Sequence, residues 1–148
     1  MKFLEEGLVK VGAKATDAAD AIKQAGVLLA DAETVEEVYI EAMVQSFQDN
    51  GPYFVLAPHI AIPHARPEDG GKEASVSLLQ LKDPVTFGHS SNDPVQLIFG
   101  LGASTSEEHV DLLKKLTLLL NKEENVKQLR TAASYREIKT IIETGEGK

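Results

Sequence analysis

Cysteine and tryptophan are absent from the 148 residues. Without a thiol the chain forms no disulfide, no thiolate-held zinc or iron–sulfur centre and no phosphocysteine, so whatever reacts here reacts through oxygen or nitrogen. Basic charge is also scarce. Fifteen Lys and Arg stand against 23 Asp and Glu, a formal net charge of −8, which argues against a broad basic surface for nucleic acid or anionic lipid. Long apolar runs are missing too: the run 116–120 falls far short of the ~20 residues of a membrane helix. The start, Met1-Lys2-Phe3-Leu4-Glu5-Glu6, turns acidic at once and lacks the apolar stretch of a signal peptide. A cytoplasmic protein with no direct membrane insertion is expected. Neither repeats nor low-complexity tracts are present, and 43% hydrophobic residues are enough for one core, so residues 1–148 are expected to form a single domain.

Apolar periodicity places the elements. Thr16 and Asp17 are cap residues for a helix of about Asp17–Ala32, with Ala18, Ala21, Ile22, Ala25, Leu28 and Leu29 on one face. Thr34 and Glu37 have capping-box spacing before a second helix, which carries Val35, Val38, Tyr39, Ala42 and Met43 and stops at Asn50-Gly51-Pro52. Tyr53–Ala57 then reads as a strand. Ile60–His64, set between Pro58 and Pro63, reads as an edge-like strand running into a loop. Ala74–Leu81 is a strand broken at Asp83-Pro84, and Val95–Phe99 is a central strand covered on both faces. Ser104–Glu108 opens a strong helix with His109, Leu112, Leu113, Leu116, Leu119 and Leu120 on one face. Two shorter helices follow. One covers about Glu123–Ala132; the other opens at Ser134 with Glu137 three residues on and buries Tyr135, Ile138, Ile141 and Ile142. Helices first, strands in the middle and helices last predict an α/β fold: a mixed β-sheet of about four to five strands with helices on both faces, its strand order left open.

The four histidines are the side chains that titrate nearest neutrality, with an ordinary pKa of ~6.5. His64 follows a proline, which stiffens the chain before it, and precedes Ala65 and Arg66 in a loop rich in Pro and Gly. A neutral imidazole nitrogen can attack phosphorus, and a guanidinium can steady the charge on the transferring oxygens. If the chain stays extended past Pro63, Arg66 points to the same side as His64. The alternative is an ordinary loop histidine beside a surface arginine, and the local residues leave both readings open. His109, near the start of a leucine-rich helix, either assists a phosphate on His64 or is a half-buried core residue. His59 cannot be placed on one face with His64, and His89, in Phe87–Pro94, reads as a surface turn residue.

Other chemistry is weakly supported. There is no His-Glu-x-x-His, so no metal site is expected. Gly70-Gly71-Lys72 lacks the flanking residues of a phosphate loop, and Gly100-Leu101-Gly102 lacks the third glycine of a dinucleotide fingerprint, so no nucleotide cofactor is expected. Ser75, Ser77 and Ser104 have no nucleophile-elbow context, and pairs such as Glu36-Glu37, Glu107-Glu108 and Glu123-Glu124 read as solvated helix starts.

The run Asn50-Gly51-Pro52-Tyr53-Phe54-Val55-Leu56-Ala57-Pro58, followed by Ile60-Ala61-Ile62-Pro63-His64-Ala65-Arg66-Pro67-Glu68 and the later Asn92-Asp93-Pro94-Val95, resembles the enzyme IIA components of the bacterial phosphoenolpyruvate-dependent sugar phosphotransferase system. The likeness is to the mannitol/fructose superfamily and, within it, most to the ascorbate-type proteins, through nearly the whole chain. The resemblance implies an EIIA type-2 domain over 1–148 and a phosphotransferase without cofactor or metal. In it His64 takes a phosphoryl group from the histidine of the carrier HPr and passes it to a cysteine of enzyme IIB. It implies an auxiliary role for His109 beside His64 and assigns none to His59; Arg66 remains a candidate for steadying the phosphate. The membrane component IIC would be an indirect partner that reads the sugar, with L-ascorbate as the inferred substrate. A IIA for mannitol, fructose or another polyol, or a regulatory module signalling by phosphorylation of His64, is the alternative.

Overall fold

The computed structural model describes residues 1–145; residues 146–148, at the end of the expected domain, lie outside the described residues. Among the described residues six strands form one mixed sheet: β1 (Lys2–Phe3), β2 (Val9–Ala13), β3 (Val55–Ala57), β4 (Ile60–Ala61), β5 (Ser75–Val85) and β6 (Val95–Gly102). Five α-helices among the same residues accompany them: α1 (Ala18–Asp31), α2 (Glu37–Asn50), α3 (Ser106–Leu120), α4 (Glu123–Thr131) and α5 (Tyr135–Gly145). The strand order is β1-β5-β6-β4-β3, with β2 also paired to β5. The antiparallel pair β5 and β6 is the middle of the sheet, while β1 and β2 run parallel to β5 and β4 runs parallel to β6.

Alternation along the two central strands sorts their side chains between two cores. Val76 and Leu78 of β5 with Leu97, Phe99 and Leu101 of β6 face α3, α4 and α5, where Leu112, Leu116, Leu119, Leu129 and Ile138 are fully buried. At about 1.5–3 kcal/mol for each such leucine or isoleucine, this stripe is what fastens the C-terminal helices to the sheet. Leu79, Leu81 and Ile98 face α1 and α2, against Ile22, Leu29, Tyr39 and Met43. On that side β5 and β6 carry small residues. A Cβ on Gly100 would press on Ser77 Oγ and the Ala25 carbonyl, so glycine lets α1 lie close, and Ser77 Oγ donates to that carbonyl at 2.9 Å. Gln80, buried on the other face, donates to the Leu129 and Ala132 carbonyls, both at 2.8 Å, and accepts from Gly12 N–H at 3.0 Å.

Several expectations are corrected. The chain does not open on a helix: β1 and β2 precede α1, too short and too mixed in polarity to show a period of two. Asp17 caps α1, accepting from Asp20 N–H at 2.8 Å, whereas Thr16 instead donates its N–H to Asp20. Thr34 builds no capping box. It is buried, its hydroxyl donating to the Leu29 carbonyl and accepting from Ser75 Oγ, and α2 begins three residues later. Tyr53 and Phe54 lie in a turn ahead of the short β3. β4 is not an edge: it is paired on both sides, with prolines just outside it, and β3 takes the edge. β5 runs on through Asp83-Pro84, because its register against β6 shifts between Gln80 and Val85 and leaves exposed residues where a missing N–H costs no ladder bond. Tyr135 and Ile142 are half-buried at the rim instead of inside the core.

The turn after β6 is held by a close backbone approach, since a Cβ on Gly71 would overlap the Ala103 carbonyl. Gly71→Ala should therefore destabilise the fold by about 1–3 kcal/mol. The measurement is a urea unfolding curve, and an unchanged midpoint would show that the turn yields freely.

Candidate active site

His64 is placed by the end of β6. Past β4 the chain stays beside that strand: Leu101 N–H donates to the Pro63 carbonyl at 3.1 Å, and His64 pairs with Leu101 in an isolated parallel bridge. Its Nδ1 lies 2.9 Å from the Ile62 carbonyl oxygen. A carbonyl only accepts, so Nδ1 carries the proton and, in the neutral ring, Nε2 holds the free lone pair. The ring is half-buried. Between ring centroids Phe54 lies 5.1 Å from it, Tyr53 6.1 Å and His109 4.8 Å, the last at an interplanar angle of 66°.

His109 comes from the first turns of α3, which leaves the sheet directly after β6. That turn is braced: Thr105 Oγ1 accepts from Glu108 N–H at 3.1 Å, and the Glu108 carboxylate accepts from Ser104 N–H and Oγ at 2.8 and 2.7 Å. These bonds hold the Glu108 carboxyl below the usual carboxylate range. The two histidines share an open cleft of about 540 Å³, to which α2 contributes Ser46 and Asp49 and the loop after His64 contributes Arg66 and Asp69.

Arg66 does line this cleft, but its guanidinium is engaged by Asp69. Nη2 donates to Oδ1 at 3.2 Å and Nε to Oδ2 at 3.3 Å, while the Arg66 backbone N–H donates to Oδ2 at 3.1 Å. The pair is part of the cap of the short 3-10 turn Pro67–Asp69, and it holds the Asp69 carboxyl below its ordinary value.

The other two histidines stand elsewhere. His59, with a φ of 71°, turns the chain between β3 and β4, and its Nδ1 donates to the Pro94 carbonyl at 2.9 Å. His89 is half-buried, and its Nδ1 accepts from Ser91 and Asn92 N–H. Asp93 gathers the N–H groups of Phe87, Gly88 and His89. The motif Asn92–Val95 is thus a loop scaffold that supports the β3–β4 turn, where Asn92 also receives His59 N–H at 3.0 Å. Sequence reasoning missed Asp69, and it missed the contact of Ser46 Oγ with the Tyr53 hydroxyl at 2.7 Å beside His64. The Arg-x-x-Asp spacing signals the first; nothing local signals the second, which joins a helix to the turn after it.

Burial lowers the pKa of His64, with the Ile62 hydrogen bond opposing, and burial followed by the neighbouring charge of His64 lowers that of His109. Both rings bind protons less tightly folded than unfolded. The stability they allow is complete above the unfolded value of ~6.5 and is lost as pH falls from there through the lower folded values, because the unfolded chain takes up more protons in that window. Urea midpoints should therefore drop between about pH 7.5 and 5.5, and drop less in His64→Ala. Equal pH dependence in both proteins would mean that the site ring titrates as in the unfolded chain.

Among known proteins, the family described as phosphoenolpyruvate-dependent sugar phosphotransferase system, EIIA 2, matches residues 2–145. The ascorbate-specific PTS system EIIA component of Shigella boydii is 35% identical over 140 residues, covering 94% of this chain and 91% of that protein. The mannitol-specific cryptic phosphotransferase enzyme IIA component of Escherichia coli is 37% identical over 143 residues, covering 97% of each. A solution structure of the mannitol-specific cryptic enzyme IIA from E. coli superposes with a TM-score of 0.85 at 37% identity, over 96% of this chain and 95% of that one. The E. coli complex of mannitol enzyme IIA with phosphorylated enzyme IIB contains a chain that superposes equally well, at 0.85, with 28% identity over 96% of this chain and 99% of that one. With sequence and fold agreeing over nearly the full length, this protein belongs to the EIIA 2 family of the phosphoenolpyruvate-dependent sugar phosphotransferase system and is a phosphotransferase component.

Proposed function

We propose that His64 is the phosphoryl carrier of this chain, taking the group from the phosphohistidine of HPr and handing it to a cysteine of an enzyme IIB in the cytoplasm. The observation that carries the reading is the state of the ring: Nδ1 is tied to the Ile62 carbonyl, so one nitrogen, Nε2, is left to act as nucleophile beside an open cleft. Burial keeps the imidazole neutral near pH 7, the form with a lone pair to offer. In the first transfer the donor's P–N bond breaks as a P–Nε2 bond forms. The positive charge that would build on the ring is shared with the Ile62 carbonyl through the Nδ1 proton. In the second transfer the P–Nε2 bond breaks as a P–S bond forms on the IIB thiolate, and His64 returns to its neutral state. The relay as proposed uses no metal or nucleotide of this chain.

His109, with its ring 4.8 Å from that of His64, is the neighbour placed to donate a hydrogen bond to a phosphoryl oxygen. Arg66 is the cation of the cleft, and to meet the phosphoryl group it exchanges its Asp69 partner. Exposed Tyr53 and Val110 give the cleft an apolar rim for a partner to cover. The formal charge of −8 favours partners with a basic patch around their own reactive residue.

The substrate proposed for the pathway is L-ascorbate, read by the membrane component IIC, which this chain serves only through IIB. The reading is supported by the Pro63–Glu68 and Asn92–Val95 motifs and by the ascorbate-specific relatives. The mannitol-type relative, at 37% identity, supports a polyol as the second reading. Transfer from the phosphorylated chain to ascorbate-type and mannitol-type IIB proteins separates the two, and the productive acceptor names the pathway.

In a reconstituted relay of phosphoenolpyruvate, enzyme I and HPr, mass mapping should find an acid-labile phosphate on His64. His64→Ala should stay folded and unlabelled; labelling of that variant would refute the assignment. His109→Ala and Arg66→Ala should still accept phosphate but transfer it roughly tenfold or more slowly, the scale of one lost transition-state hydrogen bond or charge. Wild-type rates in either would reduce that residue to packing or to surface charge.

A further inference from the structure

Tyr39, the third residue of α2, belongs by pattern to an apolar stripe and is only 1% exposed. Its hydroxyl nevertheless has work to do inside the core. It accepts from the Ala65 N–H at 3.1 Å, and its own proton reaches the Leu101 carbonyl at 2.7 Å, with the Ala65 carbonyl at 3.1 Å. The shorter contact, to Leu101, is the better acceptor for its single proton.

These groups flank His64. In a parallel ladder the residue opposite His64 bonds by its N–H to the carbonyl before His64 and by its carbonyl to the N–H after it. The first bond is made directly, Leu101 N–H to the Pro63 carbonyl. At the second, the phenol hydroxyl links Ala65 N–H to the Leu101 carbonyl. The Pro63 carbonyl belongs to the peptide that sets φ of His64, and the Ala65 N–H to the peptide that sets ψ. With both peptides tied to β6, the direction of the His64 Cβ is settled and its Nδ1–H meets the Ile62 carbonyl. Burial pushes the Tyr39 pKa up to about 12, so the hydroxyl keeps its proton, and both of its bonds, throughout the neutral range.

We propose that Tyr39 is a positioning residue for phosphoryl transfer: by linking Ala65 to Leu101, its hydroxyl holds His64 in the orientation that presents Nε2 to the cleft. This rests on the reading of His64 as the phosphoryl acceptor. Without the hydroxyl, Ala65 N–H and the Leu101 carbonyl either close on each other or stay unpaired, and both outcomes move the ring. A displacement of about 1 Å at a reacting atom can cost on the order of a hundredfold in rate.

The test is Tyr39→Phe, with Thr34→Val as a second buried hydroxyl lost from the same side of the sheet. Tyr39→Phe should lower the rate of phosphoryl transfer from HPr at saturating donor by roughly tenfold or more and leave the half-saturating donor concentration within about twofold. In the unphosphorylated protein, nitrogen-15 NMR should show His64 passing from one Nδ1-protonated tautomer to a mixture. Thr34→Val should lose stability yet transfer at the wild-type rate. Wild-type transfer by Tyr39→Phe, an unchanged tautomer, or equal slowing by Thr34→Val would each overturn the proposal. Should Tyr39→Phe not fold, the wild-type protein decides: phosphorylation should shift the Tyr39 hydroxyl and Ala65 amide protons more than the Ser77 amide across the sheet, and no such shift overturns it. Mass mapping of the wild-type phosphate tests the acceptor separately. A phosphate found elsewhere refutes the His64 reading, whereas the tautomer measurement, made without phosphate, judges Tyr39 alone.

Discussion

The hydrogen bond from His64 Nδ1 to the Ile62 carbonyl is the constraint on which the chemistry proposed for this fold depends. It assigns the proton to one ring nitrogen, leaves the lone pair on the other, and partly offsets the burial that lowers the ring's pKa. A bond between residues two apart survives only if the chain between them is stiff. Pro63 supplies part of that stiffness through its fixed φ. Strand β6 supplies the rest by holding the Pro63 carbonyl and pairing with His64 beyond the end of β4.

Strand β6 does this for both histidines. It lies between β5 and β4 in the sheet, where packing on both faces leaves it no freedom. Its C-terminal end pairs with the His64 segment on one side and turns into α3, which carries His109, a few residues later. One rigid strand therefore sets two side chains from distant parts of the chain within ring contact, at the carboxyl end of parallel strands where α/β folds place their sites. The register against β5, the Gly100 that lets α1 lie close and the buried leucines of α3 all serve this placement.

Electrostatically the cleft is quiet. Its arginine is paired with Asp69, its histidines are shifted toward neutrality, and Ser46 and Tyr53 offer hydroxyls beside them. Such a surrounding offers a phosphoryl group hydrogen bonds and a cation whose charge Asp69 balances at rest. That agrees with a proposed carrier that must release the group as readily as it accepts it, since tight charge pairing would stabilise the loaded state and slow the next transfer.

Local order was legible in the residues. The helix stripes, apart from Val35, which lies ahead of α2, and Val38, which is exposed, the Asp17 cap, the helix start at Ser104–Glu108, the central strand at Val95 and the stiff Pro63-His64 mount follow from periodicity and backbone chemistry acting over a few residues, and the motifs around His64 carried the family resemblance. What acts over long separations was not. The N-terminal strands were hidden because two to five residues are too few for a period to show, and β4 looked like an edge because its prolines are visible while its partner residues in β6 are 37 positions away. Thr34 looked like a cap because its spacing was right, but its hydroxyl was claimed by Ser75 across the sheet. By itself the sequence determined the stiffness of the His64 mount and, through the family resemblance, made His64 the candidate carrier. Only the tertiary structure decided which nitrogen is free, how closely the His109 ring approaches it and what holds Arg66, because those depend on groups brought together by the sheet and by nothing in their local spacing.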